Sequence, residues 1–155
     1  MGNLSRRLNA HPRVKLMKFS ASVEINAPPE TVWAMINKLD EWPRWIPSLR
    51  RIEKVSPGPL GAGSQIRVTA KSGITVKLLM TIVEFVPRRR VVMQGKILGT
   101  KMLRYYELEP INQRTRLTAG GEVSGLLACL VRYGGQKLSG EIVQSLKKKV
   151  EGDNH

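Results

Sequence analysis

From Gln65 to Val123 the sequence is a series of short stretches that alternate apolar and polar residues, broken at hairpin distances. It then gives way to one long amphipathic stretch, Gly125 to Glu151. This order constrains the fold more than anything else in the chain. Ile66, Val68 and Ala70 alternate with Gln65, Arg67, Thr69 and Lys71, and Ser72-Gly73 signals a tight hairpin turn. Ile74, Val76, Leu78, Met80 and Ile82 make the longest run, closed by Pro87. Val91 to Leu98 and Lys101 to Glu109 come next, joined near Gly99, and Pro110-Ile111-Asn112-Gln113 turns into Arg114 to Val123. Successive side chains of a strand point to opposite faces, so each run reads as a strand with one buried face. Two earlier runs behave alike: Met17 to Ile25, with Phe19, Ala21, Val23 and Ile25 on one side, and Arg50 to Ser56. The expectation is an antiparallel meander of about seven strands.

The terminal stretch places Leu127, Val131, Gly134, Leu138, Ile142, Leu146 and Val150 at three- and four-residue steps, the period of a helix with one apolar face. Gly134-Gly135 and Gly140 weaken it, each by up to about 1 kcal/mol relative to alanine. They either bend the helix or let it lie close to a neighbouring surface. A single sheet must cover its apolar face, and only this helix is long enough to do so. A curved sheet wrapped on one helix leaves space between them, where a ligand pocket would sit.

Asn26-Ala27-Pro28-Pro29-Glu30 switches the period from strand to helix, since prolines are tolerated in a first turn. Val32, Met35, Ile36 and Leu39 form a helical stripe; Pro43 and Pro47 limit the next segment to a short turn around Asp40–Trp45. All three tryptophans, Trp33, Trp42 and Trp45, fall here. Tryptophan buries a large apolar surface while its N–H needs a partner. Trp33 is therefore expected to pin the first short helix to the sheet, and Trp42 and Trp45 the second. Together they would close one end of the sheet around the long helix and form the rim of a pocket.

Length and charge narrow the rest. The chain has 155 residues, 26 Lys and Arg against 12 Asp and Glu, and a net charge of +14. This suits one domain, read as 16–151 behind a flexible basic segment, 1–15, that carries Arg6, Arg7, Arg13 and Lys15. Such a charge favours contact with an anionic partner. Leu126 to Val131 is apolar but stops at Arg132, far short of a membrane span. Met1-Gly2 suggests myristoylation, but Arg6 stands where Ser or Thr is wanted. Cys129 is the only cysteine, so no internal disulfide or cysteine metal cluster can form, and a buried packing role is expected for it rather than nucleophilic catalysis. The histidines, His11 and His155, lie outside the expected core. No cluster has metal-ligand spacing, and neither a GxSxG nor a dinucleotide fingerprint occurs. Gly58 to Gly63 lacks the Lys-Ser/Thr ending of a phosphate cradle and reads as a hairpin loop.

Four segments carry a family resemblance: Ile25-Asn26-Ala27-Pro28-Pro29-Glu30-Thr31-Val32-Trp33, Trp42-Pro43-Arg44-Trp45-Ile46-Pro47, Gly58-Pro59-Leu60-Gly61-Ala62-Gly63, and Tyr106-Glu107-Leu108-Glu109-Pro110 followed by Thr115-Arg116-Leu117. In these the chain resembles the START-like, polyketide cyclase/dehydrase and plant-allergen superfamily. The resemblance implies an α+β helix-grip fold: a curved antiparallel sheet around a long C-terminal helix, with two short helices after the first strand. It also implies a cavity for a hydrophobic small molecule, such as a lipid, isoprenoid or polyketide-like compound, bound without cofactor or metal. On this fold the expected ligand-binding residues are Phe19, Val23, Trp33, Ile66, Val68, Val76, Leu78, Met80, Met93, Arg104, Tyr106, Leu138 and Ile142.

Arg104 is the sharpest of these. If Tyr106 and Leu108 point inward, strand parity brings Arg104 and Met102 in as well, and an anionic ligand group would satisfy the guanidinium. A bulge would instead turn Leu103 and Tyr105 inward. Gln94 and Glu122 carry the same two-way choice. Two other functional classes stay open. One is a cyclase or dehydratase that shapes its substrate while Arg104 or a tyrosine polarises a carbonyl. The other is a basic module at an anionic membrane surface. Nucleic acid is disfavoured, because only Tyr105 and Tyr106 offer stacking faces among basic residues. The expectation is a cytoplasmic monomer, peripheral at a membrane if it docks there at all.

Overall fold

A computed structural model describes residues 16–72 and 74–153. The expected behaviour of residues 1–15 therefore lies outside the described residues. The chain runs β1 (Met17–Ile25), α1 (Pro29–Ile36), a 3-10 helix (Leu39–Arg44), β2 (Leu49–Lys54), β3 (Gln65–Ser72), β4 (Ile74–Val86), β5 (Arg90–Ile97), β6 (Thr100–Ile111), β7 (Arg114–Ser124) and α2 (Ala128–Asp153). The strands form one antiparallel sheet in the order β1-β7-β6-β5-β4-β3-β2. From β2 to β7 every neighbour in space is a neighbour in sequence. Only β1 departs from this, pairing with β7, with Phe19 opposite Gly121 and Ala21 opposite Ala119.

β1 and β2 therefore lie at opposite edges of the sheet, and residues 26–48 must bridge them. α1 and the 3-10 helix make that bridge. Pro28 and Pro29 start α1 in extended and then helical geometry, and Val32 and Ile36, one turn apart, bury its inner face. Pro43 lies inside the 3-10 helix, whose buried residues are Leu39 and Trp42. The Trp42 indole N–H donates to the Met35 carbonyl at 2.9 Å, joining this turn to the end of α1. Trp33 meets Phe85 of β4 edge-on at 5.2 Å, and Trp42 meets Tyr106 of β6 edge-on at 5.3 Å. Trp45 packs beside Trp42 at 6.0 Å. Each short helix is thus fastened to the sheet by an indole.

α2 packs chiefly on β1 and β7. It also finishes the exposed edge of β1, where unpaired backbone groups would otherwise invite another strand. The Gln136 amide takes both backbone groups of Ser20, accepting its N–H at 3.2 Å and donating to its carbonyl at 2.7 Å. Arg132 donates to the Lys18 carbonyl at 2.9 Å and Lys147 to the Glu24 carbonyl at 2.7 Å. The helix is continuous through its glycines. At Gly135 a side chain would come within 2.8 Å of the Phe19 ring, so this glycine exists for close approach; Gly134 and Gly140 meet nothing within 4 Å. Two details differ from the sequence reading. Leu127 precedes the helix and is exposed, and Cys129 is exposed rather than buried. Ala128, not its neighbours, turns inward, because one residue of rotation on a helix (about 100°) separates the core face from solvent.

Candidate functional site: an apolar cavity with one buried arginine

The concave face of the sheet is built rung by rung. Phe19, Gly121, Arg104, Met93 and Ile82 stand side by side across five strands. The next rung on one side carries Tyr106 and Val91, and the next on the other carries Val123, Met102, Gly95, Met80 and Ile66. A register shift in the β4–β5 pair, between Ile82 and Glu84, is a bulge that bends the sheet, and Val91, Val92 and Met93 are all buried beside it. β6 itself keeps its parity. Arg104, Tyr106 and Leu108 are buried, so the inward alternative for Arg104 holds. Gln94 and Glu122 share a rung with Leu103 and face the other side, where Gln94 is exposed.

Between this face and α2 lies a cavity of about 70 Å³, lined by Leu39, Trp42, Leu49, Ile52, Ile66, Val68, Ala70, Leu78, Met80, Met93, Met102, Arg104, Tyr106, Leu138 and Ile142. Of the residues expected at such a site, Ile66, Val68, Leu78, Met80, Met93, Arg104, Tyr106, Leu138 and Ile142 are brought together here. Phe19, Val23, Trp33 and Val76 are not. Phe19 is diverted into the slot between Gly121 and Gly135, in a separate cluster with Val123 and Ala128. Val23 packs against the main core, Trp33 is taken by Phe85, and Val76 sits opposite Ala70 without lining the cavity. Leu39, Leu49, Ile52 and Ala70 line it without having been expected there, while Trp42, expected at the rim, and Met102, expected inward by parity with Arg104, also stand in the wall. The sequence signal for Leu39 is its spacing from Trp42 and Ile46, at steps of three and four residues, which puts all three on one inward face; all are buried.

Arg104 is the one charged residue in this lining. It is only 5% exposed. Its Nε donates to the Tyr106 hydroxyl at 2.9 Å, and a terminal nitrogen donates to the Ser139 hydroxyl of α2 at 3.0 Å. Its guanidinium also faces the rings of Tyr106 at 5.6 Å and Phe19 at 5.9 Å. Among the described residues no carboxylate pairs with it. A guanidinium has five N–H donors. Hydroxyls and ring faces satisfy part of that demand and leave its charge without an opposite charge, a costly arrangement for a buried cation. The chemistry of the site is thus an apolar volume with one strong cationic donor group fixed in its wall.

Another contact spans the site. Glu141, on α2 between Leu138 and Ile142, accepts from both the N–H of Ser48 (3.0 Å) and its hydroxyl (2.5 Å). Ser48 leads directly into Leu49 of β2, so this pair ties the helix wall of the cavity to its β2 wall. Among the described residues no group of three His, Cys, Asp or Glu could hold a metal ion, and no helix is long and apolar enough to cross a membrane.

This fold and site define a helix-grip domain. The profile of the family described as polyketide cyclase/dehydrase and lipid transport matches residues 17–151, and the chain belongs to that family. Solved structures share the fold at low identity. An aromatase/cyclase from Streptomyces sp. R1128 superposes with a TM-score of 0.81 at 12% identity, over 91% of this chain and 97% of that one. The protein Ara h 8.0201 gives 0.73 at 20% identity, over 89% and 99%. A START superfamily protein from Mycobacterium smegmatis gives 0.66 at 20%, over 88% and 95%. No curated protein sequence matches the chain.

Proposed function

We propose that the chain binds a hydrophobic small molecule, of the lipid, isoprenoid or polyketide class, between its sheet and α2, with an oxygen-bearing anionic or carbonyl group of that molecule against Arg104. The observation that carries this reading is the buried guanidinium without a counter-charge in an otherwise apolar cavity. An ion pair or charge-assisted hydrogen bond from a ligand would supply what the protein leaves open. At about 70 Å³ the cavity is smaller than the roughly 300–1,000 Å³ of ordinary ligand sites, so the ligand must widen it. Met80, Met93 and Met102 in the wall are unbranched and change rotamer readily, which suits that demand.

A second reading is favoured by the Arg104–Tyr106 hydrogen bond. Two donors held together in a dry site would polarise a substrate carbonyl, as a cyclase or dehydratase requires. No histidine lies among the described residues, so such an enzyme would act by shaping its substrate more than by moving protons. Organic extraction of gently purified protein, followed by mass spectrometry, tests the binding reading. The expected result is one dominant hydrophobic compound with an acidic or carbonyl oxygen. A protein that carries nothing, and that takes up neither fatty acids nor aromatic acids, would contradict it.

A further inference from the structure

α2 begins with an inversion of the usual pattern. A helix packed on a sheet should be polar on its outer face. From Lys137 onward it is, with Lys137, Gln144 and Lys148 exposed. At its start, and in the turn just before it, exposed apolar residues stand out instead, with Arg132 beside them. Leu126, in the turn that leads into the helix, is 100% exposed; Leu130 (61%) and Tyr133 (71%), three residues apart, share one side of its first two turns. The β5–β6 turn adds Leu98, 65% exposed. The two segments touch: the Leu127 N–H donates to the Thr100 hydroxyl at 3.3 Å, and Gly125 lies against Gly99 and Thr100.

Leu98 is an unusual choice for its place. It forms a two-residue hairpin turn with Gly99, and both have positive φ, 49° and 76°. Such turns favour asparagine or glycine, whereas leucine is strained there. A strained leucine held out in water at the tip of a hairpin, beside three more exposed apolar side chains, indicates use of the apolar surface itself.

Charge identifies the partner. The flanks carry Lys96, Lys101, Arg132 and Lys137, all exposed, and neither Gly95–Tyr106 nor Val123–Gly140 contains an acidic residue. Leu16, which comes after the basic residues Arg6, Arg7, Arg13 and Lys15 in sequence, lies at this same end of β1, in a groove shared with Lys96, Lys101, Ser124 and Glu122, the one acid there, which pairs with Lys18 at 3.8 Å. An apolar tip ringed by cations matches an anionic bilayer, whose interface accepts leucine and tyrosine while its headgroups attract lysine and arginine. We infer that the chain docks reversibly on anionic membrane surfaces through Leu98, Leu126, Leu130 and Tyr133, with Lys96, Lys101, Arg132 and Lys137 on the headgroups. This orientation sets the first turns of α2 against the lipid, within two helical turns of Leu138 in the cavity wall.

Sedimentation of the full chain with phosphatidylcholine vesicles, with and without about one third phosphatidylserine, tests the inference. The wild type should bind the anionic vesicles and release as salt rises. Leu126→Ser with Leu130→Ser should weaken binding about tenfold while leaving the circular dichroism spectrum unchanged, because both side chains are exposed. Lys96→Gln with Lys101→Gln should reduce the preference for anionic over neutral vesicles. Three results would overturn the inference. The wild type could ignore vesicles of both kinds. The leucine variant could bind as the wild type does, which would place the attraction in the basic residues alone. Or the chain could be a dimer that the leucine substitutions convert to monomer, which would make a second copy the occupant of the patch.

Discussion

Gly134 and Gly135 are adjacent in α2, and the same substitution should act on them in opposite directions. At Gly134 a methyl group meets open space, so Gly134→Ala should stabilise by about 0.5–1 kcal/mol through lost unfolded-state freedom. At Gly135 it meets the Phe19 ring, which is already wedged against Gly121, so Gly135→Ala should destabilise by about 1–3 kcal/mol. Chemical denaturation of the two variants checks both signs. The glycine pair also shows where sequence reasoning stops. The helical period shows that something at these positions must be small or bent. Which glycine admits the sheet depends on Phe19, more than a hundred residues away in the chain. Arg104 was more legible, because parity along β6 needs only its neighbours Tyr106 and Leu108. The bulge that could have broken that parity lies instead in the β4–β5 pair.

At the scale of elements, α2 is held by polar contacts beside the cavity and near its own C-terminus. Ser48→Ala with Glu141→Ala should destabilise by about 1–3 kcal/mol, since charged hydrogen bonds are the stronger kind. The same change should speed hydrogen exchange in Leu49–Lys54, because it frees β2 from the helix. Protection of that strand equal to the wild type would show that apolar packing alone holds the wall. Near the C-terminus, Glu151 accepts from Lys147 at 3.0 Å and from the Asn26 N–H at 3.2 Å. The Lys147 hydrogen bond, opposed by desolvation and aided by Asn26 and by the charges of Lys147 and Arg114, holds its carboxyl below the usual range. The unfolded chain therefore takes up this proton first as pH falls. The contribution of Glu151 is fully present above the unfolded pKa and is lost as pH falls through the folded one. The melting temperature of Glu151→Gln should lie below the wild type at neutral pH and converge with it in acid. The strands themselves were legible because alternation survives in each one. The pairing of β1 with β7 was not, since it joins strands about a hundred residues apart in the chain and local alternation carries no record of it.

For the whole molecule, sequence patterns point to a sheet wrapped on one helix, and the structure adds how little room that wrapping leaves. Side-chain identities do not report a cavity volume, because the residual space is a small difference between large packed volumes. Phe19 illustrates this: it faces the concave side as its position requires, yet it fills a glycine slot and leaves the cavity wall to Trp42 and Met102. What remains is a narrow apolar space with a cation that nothing in the described protein neutralises. The most direct measurement is a fluorescence titration with anilinonaphthalene sulfonate, an apolar probe with one negative charge, on the wild type, Arg104→Met, and the exposed control Arg51→Met. Saturable one-site binding by the wild type and the control, weakened at least about tenfold (about 1.4 kcal/mol) in Arg104→Met, is the predicted result. Equal binding by Arg104→Met and the wild type, with both folded, would contradict it.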